Sequence, residues 1–287
     1  MNSWFQKVQF LLSVVAGILL LSGLPCPADE TPPTLDALRE KFAAQYACPG
    51  HHGLATFSAH LSSDQLTMIA NKTHRPAPKL IFHFRSPEDF QVEQAETASG
   101  SVGSAGSAGF ATPNTDLLGN FVQAIAQTAE GFFQTYLMVG FDNPFSAMPS
   151  SASIRIENER LVVEYPDQIP EHWVTLDFDP DFVLAKMETR DLLGDTRSVI
   201  RPIWAEGSSK RVLTGIHVEY FQGKYEQADF ITRMKIENLE VDGFLLPARV
   251  VVQARDGKEG NSPSAIFDFR FDQFVLGVVR PAQRSSP

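Results

Sequence analysis

The sequence predicts an α+β fold in which one long antiparallel sheet is covered by helices. Three observations carry that prediction. From Ala152 to Leu276 apolar and polar residues alternate almost without a break, as in strands with one dry and one wet face. Two segments, about 35–46 and 114–139, instead repeat their apolar residues at the three-to-four spacing of an amphipathic helix. No strand–helix–strand rhythm runs through the chain, which disfavours a Rossmann-like or other parallel α/β sheet.

The elements follow in order. Met1 to Lys7 carries one positive charge, Phe10 to Leu21 is apolar, and small residues end at Ala28. That is the order of a secretory signal peptide over residues 1–28, and its apolar run is short for a bilayer span. A retained membrane anchor and lipid attachment at Cys26 are the competing readings, although Leu24-Pro25 is a poor match to a bacterial lipoprotein site. Cleavage would leave Cys48 as the sole thiol, whereas retention of Cys26 would permit a Cys26–Cys48 bridge. Residues 29–287 read as a single domain. Thr34 is suited to cap the first helix, Asp36 suits its positive end, and Leu35, Leu38 and Phe42 share one face. Cys48-Pro-Gly-His-His-Gly53 stops it. Leu54 to Leu61, Gln65 to Ala70, Lys79 to Arg85 and Phe90 to Ala95 then read as strands of period two.

Residues 96–113 form an inserted tract whose centre is built from Gly and Ser, the composition of a flexible tether. Helix 114–139 follows, with Leu118, Phe121, Val122, Ile125, Ala129, Phe132, Phe133, Tyr136 and Leu137 on one face. Pro113 precedes it, while Gly140 and Pro144 close it. The strands resume with a hairpin whose turn is Asn158-Glu-Arg160. They continue through Val174, Leu176 and Phe178 and on to 265–275, with turn signals at Asp242-Gly243 and Asp256-Gly257. In 231–237 one face carries Ile231, Arg233, Lys235 and Glu237, the other Thr232, Met234 and Ile236.

The chain has 287 residues, 43% of them hydrophobic, which is ample for a core and excludes a disordered or disulfide-stapled class. Its net charge of −10 repels phosphate backbones, arguing against nucleic acid and against broad electrostatic docking on anionic lipid. Phe is the outlier at 22 residues, roughly twice ordinary usage. That surplus fits either a thick aromatic core or an apolar cavity.

An amphipathic opening helix, then the Pro-marked strand Arg75-Pro-Ala-Pro-Lys-Leu-Ile-Phe-His-Phe84, precede a long meander. The meander ends in hairpins such as Leu239-Glu-Val-Asp-Gly-Phe-Leu-Leu-Pro-Ala248. In this order of elements, roughly residues 34–276, the chain resembles the periplasmic lipoprotein-carrier superfamily (LolA-like, outer-membrane lipoprotein sorting). The resemblance implies an open antiparallel half-barrel sheet, covered by an N-terminal helix and a long tethered lid-like helix. It also implies an apolar concavity that holds acyl chains. The Gly/Ser tract and long helix depart from the family as an insertion into the meander. Arg85 and Arg155 are the candidates for the arginine by which a carrier of that kind latches its lid.

Other constellations are weighed against plain structural readings. Cys48 with His51 and His52 offers donors for a soft metal but lacks a zinc framework. Asp177, Asp179, Asp181 and Glu188 imitate a calcium loop, yet its sixth position is Phe182 rather than Gly, and the flanks are strands. A hydrolase has no nucleophile elbow to stand on. The expected function is therefore non-enzymatic, without cofactor or metal: a periplasmic or secreted protein that binds a lipid or the acyl chain of a lipoprotein. Its wall would comprise Phe121, Ile125, Phe132, Phe133 and Tyr136 of the long helix, with Phe82, Phe84 and Phe178 from the sheet. The alternatives are a regulatory half-barrel that binds a partner protein and, less favoured, a secreted hydrolase. The long helix reads as a ligand cover or as plain packing; its spacing suits both.

Overall fold

Twelve antiparallel strands form one open sheet in the computed structural model, which describes residues 32–85, 89–95, 116–146, 148–167, 169–207, 209–223, 227–257, 263 and 265–278. The expected signal peptide, Cys26 and the Gly/Ser tract lie outside the described residues. The strands are β1 (Leu54–Ser62), β2 (Lys79–Arg85), β3 (Asp89–Ala95), β4 (Ser153–Glu157), β5 (Arg160–Pro166) and β6 (His172–Phe178). They continue as β7 (Leu184–Asp191), β8 (Thr196–Glu206), β9 (Arg211–Gln222), β10 (Phe230–Val241), β11 (Phe244–Asp256) and β12 (Ala265–Val278).

Their order across the sheet is β3-β2-β1-β12-β11-β10-β9-β8-β7-β6-β5-β4. Every neighbour is consecutive in sequence except at one seam, where the first strand pairs with the last, Phe57 opposite Leu276 and Leu61 opposite Phe271. Two register shifts in that pair, and others in β6/β7, β8/β9 and β10/β11, bend the strands and give the half-barrel its curvature. Because the seam joins the first and last of these strands, the open edges are β3 and β4, which are consecutive in sequence. The expected insertion is thus the connection from one edge of the sheet to the other.

Turn chemistry fixes the hairpins. Asn158 and Glu159 have φ of 50° and 65°, so the β4–β5 turn holds two residues and Arg160 already pairs with Glu157. Asp242 and Gly243, at φ 49° and 85°, make the same kind of turn between β10 and β11.

Helix α1 (Leu35–Gln45) starts where Thr34 Oγ1 accepts from Ala37 N–H, and it buries Leu38 and Phe42. Helix α2 (Asp64–Lys72) replaces the strand expected over Gln65 to Ala70. That segment satisfies both periods, since Leu66 and Ala70 lie one helical turn apart as well as on one strand face. Burial decides between them: Leu66 and Ala70 are buried, whereas Met68, which alternation would bury, is 49% exposed. Helix α3 (Leu117–Tyr136) carries the expected face, with Leu118, Ile125, Ala129, Phe132, Phe133 and Tyr136 buried. Asp116 caps it through Gly119 N–H.

The chain does not stop at Gly140 as an ordinary helix end. Leu137–Phe141 widen into a π-helical turn instead. Gly140 lets that turn lie against Leu213 and Tyr136, where any side chain would collide. One core cluster runs through α1, α2, α3 and the inner face of the sheet. On the outer face Ile231, expected among wet residues, is buried with Val199, Phe221 and Ala228 in a second small cluster.

Candidate functional site

Alternation along β1, β2 and β12 turns Phe57, Phe82, Phe84, Phe269 and Phe271 toward the face that α3 covers. The helix answers with Phe132 and Phe133. Phe133 stacks on Phe82 with ring centroids 4.2 Å apart and meets Phe271 edge-on at 5.3 Å. Phe132 packs on Phe269 and on Tyr136, and Phe84 meets Phe141 of the π turn at 4.8 Å. Ring pairs of this kind add about 0.5–1.5 kcal/mol each beyond their buried area.

Five of the predicted wall residues, Phe82, Phe84, Phe132, Phe133 and Tyr136, therefore meet in one aromatic cluster. Ile125 is buried along the same helix face, and Phe121 stacks half-buried on Phe267 nearer the N-terminal end. Phe178 is not among them. It belongs to a second aromatic group around α1, stacked with Phe182 at 4.8 Å and Phe145 at 5.4 Å. Sequence alternation placed Phe178 on the inner face correctly but carries no information about which helix lies over it.

The polar ties of α3 sit at its ends. Asp116 pairs with Arg75 at the N-terminal end, both side chains about half exposed, and Gly50 N–H donates to Phe141 carbonyl at 2.9 Å beyond the C-terminal end. Between them, among the described residues, the side-chain hydrogen bonds of α3 are those of Thr128 and Thr135 to their own helix. Arg75, not Arg85 or Arg155, is the arginine that reaches the long helix. Arg155 binds Glu157 and Glu164 within its own hairpin, and Arg85 stands exposed on β2. The pairing of Arg75 with Asp116 spans 41 residues, and the sequence pattern marks neither residue as a tie of the long helix.

The remaining constellations have structural roles. Cys48 is buried, and burial, with the Asp142 charge nearby, pushes its thiol up to about 12, far from a reactive thiolate. His51 and His52 meet edge-on, and Lys210 Nζ stands 2.9 Å from His52 Nε2. Burial, Lys210 and His51 together lower the His52 pKa. Asp177 pairs with Arg160, Asp179 accepts from Val183 N–H to hold a turn, and Glu188 lies between Lys186 and Arg190. The acids of the calcium-like spacing are thus distributed over separate partners. Among the described residues no group of three His, Cys, Asp or Glu is arranged to hold a metal. On the outer face, two grooves of about 420 and 260 Å³ share Ser58 and Val275.

No protein-family model, no curated protein and no solved structure matches the chain. The fold is α+β, an open twelve-stranded antiparallel half-barrel with helices over its inner face. No described helix is long and apolar enough to cross a membrane.

Proposed function

We propose that this is a non-enzymatic binding protein that holds an acyl chain, of a lipid or a lipidated protein, between α3 and the inner face of the sheet. The observation that supports the reading most is how α3 is fastened: apolar along its length, with polar ties at its ends. A surface held by ring contacts can exchange them for an alkyl chain without leaving a buried polar group unpaired. Each methylene taken from water contributes about 0.8 kcal/mol, so a chain of ordinary length has enough drive to compete with the rings it displaces. The likeness of element order to the lipoprotein carriers supports the same ligand class, and the leader-like residues 1–28 support export to the periplasm or beyond.

Native mass spectrometry of protein purified from its source cell tests the reading. The expected result is a co-purifying lipid or acylated species. Hydrogen exchange on adding a phospholipid should then change protection in α3 and leave α1 unchanged. An empty protein that also rejects added phospholipid would sink the proposal, and a co-purifying protein without lipid would favour the regulatory alternative.

A further inference from the structure

A row of basic side chains crosses the outer face of the sheet, away from α3. Arg201 on β8, His217 on β9 and Arg233 on β10 are direct cross-strand partners, so all three side chains leave the same face. That face is the outer one, because the alternating neighbours Ile200, Ile216 and Met234 lie in the main core. Arg255 on β11, opposite Ile231, adds a third guanidinium one step along. Like charges placed side by side on a sheet repel. Arg255 is not without a partner of its own; among the described residues Glu219 is bound to Arg201 and stands 3.6 Å from His217 Nε2. Arg233 has no carboxylate partner among the described residues and is exposed. His217 Nε2 is buried and makes no hydrogen bond. A cavity of about 30 Å³ opens beside the row, lined by Arg233, Arg255 and Gln253.

We propose that this outer-face row is a binding site for a single phosphate group, held by Arg201, Arg233 and His217. Glu219 is taken up by Arg201, which leaves Arg233 without a carboxylate partner among the described residues and His217 Nε2 without a hydrogen bond, and phosphate supplies both. Guanidinium forks pair with two oxygens each, and the imidazole N–H donates to a third. The buried patch of Val199, Phe221 and Ile231 borders the row and keeps water from one side of it. His217 is held below its ordinary pKa by burial and by Arg233, Arg201 and Arg255, against the opposing pull of Glu219. A bound dianion reverses that balance. The overall charge of −10 confines the attraction to this spot, which suits one phosphate better than a long polyanion.

The test is a titration of the His217 ring by nuclear magnetic resonance, on the full chain, in inorganic phosphate and in chloride at equal ionic strength. Phosphate is expected to raise the imidazole pKa by about one unit. Arg233→Gln is expected to weaken phosphate binding at least about tenfold, with an unchanged melting temperature showing that the variant folds. If that variant melts early, Arg201→Gln serves in its place. Coincident phosphate and chloride titrations, or undiminished phosphate affinity in a folded variant, overturn the proposal. Flotation with phosphatidylglycerol or phosphatidylcholine vesicles separates the two sources. Vesicle binding that Arg233→Gln abolishes assigns a lipid headgroup, and phosphate binding without vesicle binding assigns free phosphate. Neither outcome depends on the acyl site, so failure here leaves that reading standing.

Discussion

Helices α1 and α3 cover the same sheet with similar aromatic faces, yet they are attached by different chemistry. Around α1 the rings of Phe42 and Tyr46 stack at 3.9 Å, and polar bonds lock them in place. Tyr46 Oη donates to Phe182 carbonyl at 2.7 Å and accepts from Leu184 N–H at 2.9 Å. Arg39 Nε donates to Phe145 carbonyl, Asn143 Nδ2 to Arg39 carbonyl, and Arg211 Nη1 to Gln45 Oε1. Over α3 the rings stack as well, but the polar ties stand only at the two ends. Directional bonds fix one geometry, whereas apolar contacts fix a surface that another apolar body can occupy. Equal burial therefore does not imply equal rigidity.

The contrast can be broken from the α1 side first. Phe42→Ala is expected to cost about 3–5 kcal/mol in urea unfolding, because a fully buried ring leaves a cavity in a bonded frame. A cost below about 1 kcal/mol would show that α1 is as loosely seated as α3. Next comes a matched pair. Tyr46→Phe orphans the Phe182 carbonyl and the Leu184 N–H, and about 1–3 kcal/mol should be lost. Tyr136→Phe removes a hydroxyl that makes no hydrogen bond among the described residues, so its loss should be well under half of that. Equal losses would erase the distinction.

Two smaller effects sharpen it. Asp116→Ala removes the cap of α3 and the partner of Arg75, at about 1 kcal/mol. Amide exchange in the first turns of α3 should quicken while α1 stays protected. The pH dependence has a definite sign. Gly119 N–H, then Arg75, holds the Asp116 carboxyl below its ordinary value. Its contribution is present above the unfolded carboxylate pKa and is lost as pH falls through the lowered folded one.

Asp142, beyond the π turn, behaves oppositely. Burial pushes its carboxyl up, with His51 pulling it partly back. Its ionised form weakens the fold near neutrality, and the penalty fades as pH falls through the raised value. Asp142→Asn should therefore raise the melting temperature slightly at about pH 7 and leave it unchanged below about pH 3, under the unfolded carboxylate pKa. A gain that persists at the lower pH would assign the effect to packing instead.

Much of α3 was legible in the sequence because its burial is periodic and local. The three-to-four spacing names Ile125, Phe132, Phe133 and Tyr136 without reference to the rest of the chain. The ties of α1 were not legible, since Tyr46 bonds to groups 136 and 138 residues away and no local pattern encodes them. The strands were readable from alternation, but α2 was mistaken for one because Leu66 and Ala70 fit both periods. Alternation also could not distinguish Ile231, buried on the outer face, from its wet neighbours Arg233 and Lys235. Assignment of Phe178 to the wall under α3 failed for the same reason: a strand pattern gives the face, and only the tertiary fold gives what lies over it.

The seam between β1 and β12 has a consequence in time. During synthesis β4 to β11 can pair in order as they emerge, each with the strand just made. The β1–β2–β3 hairpins cannot join them until the last described strand, Ala265–Val278, has left the ribosome. Such long-range closure is slow, because the chain entropy is lost before the contact forms. Until then Phe57 lacks its neighbour Phe274, Phe82 lacks Phe271, and α3 has half a floor. A sheet built this way remains unfinished until β12 has emerged, so the apolar faces of its earliest strands need shelter until then.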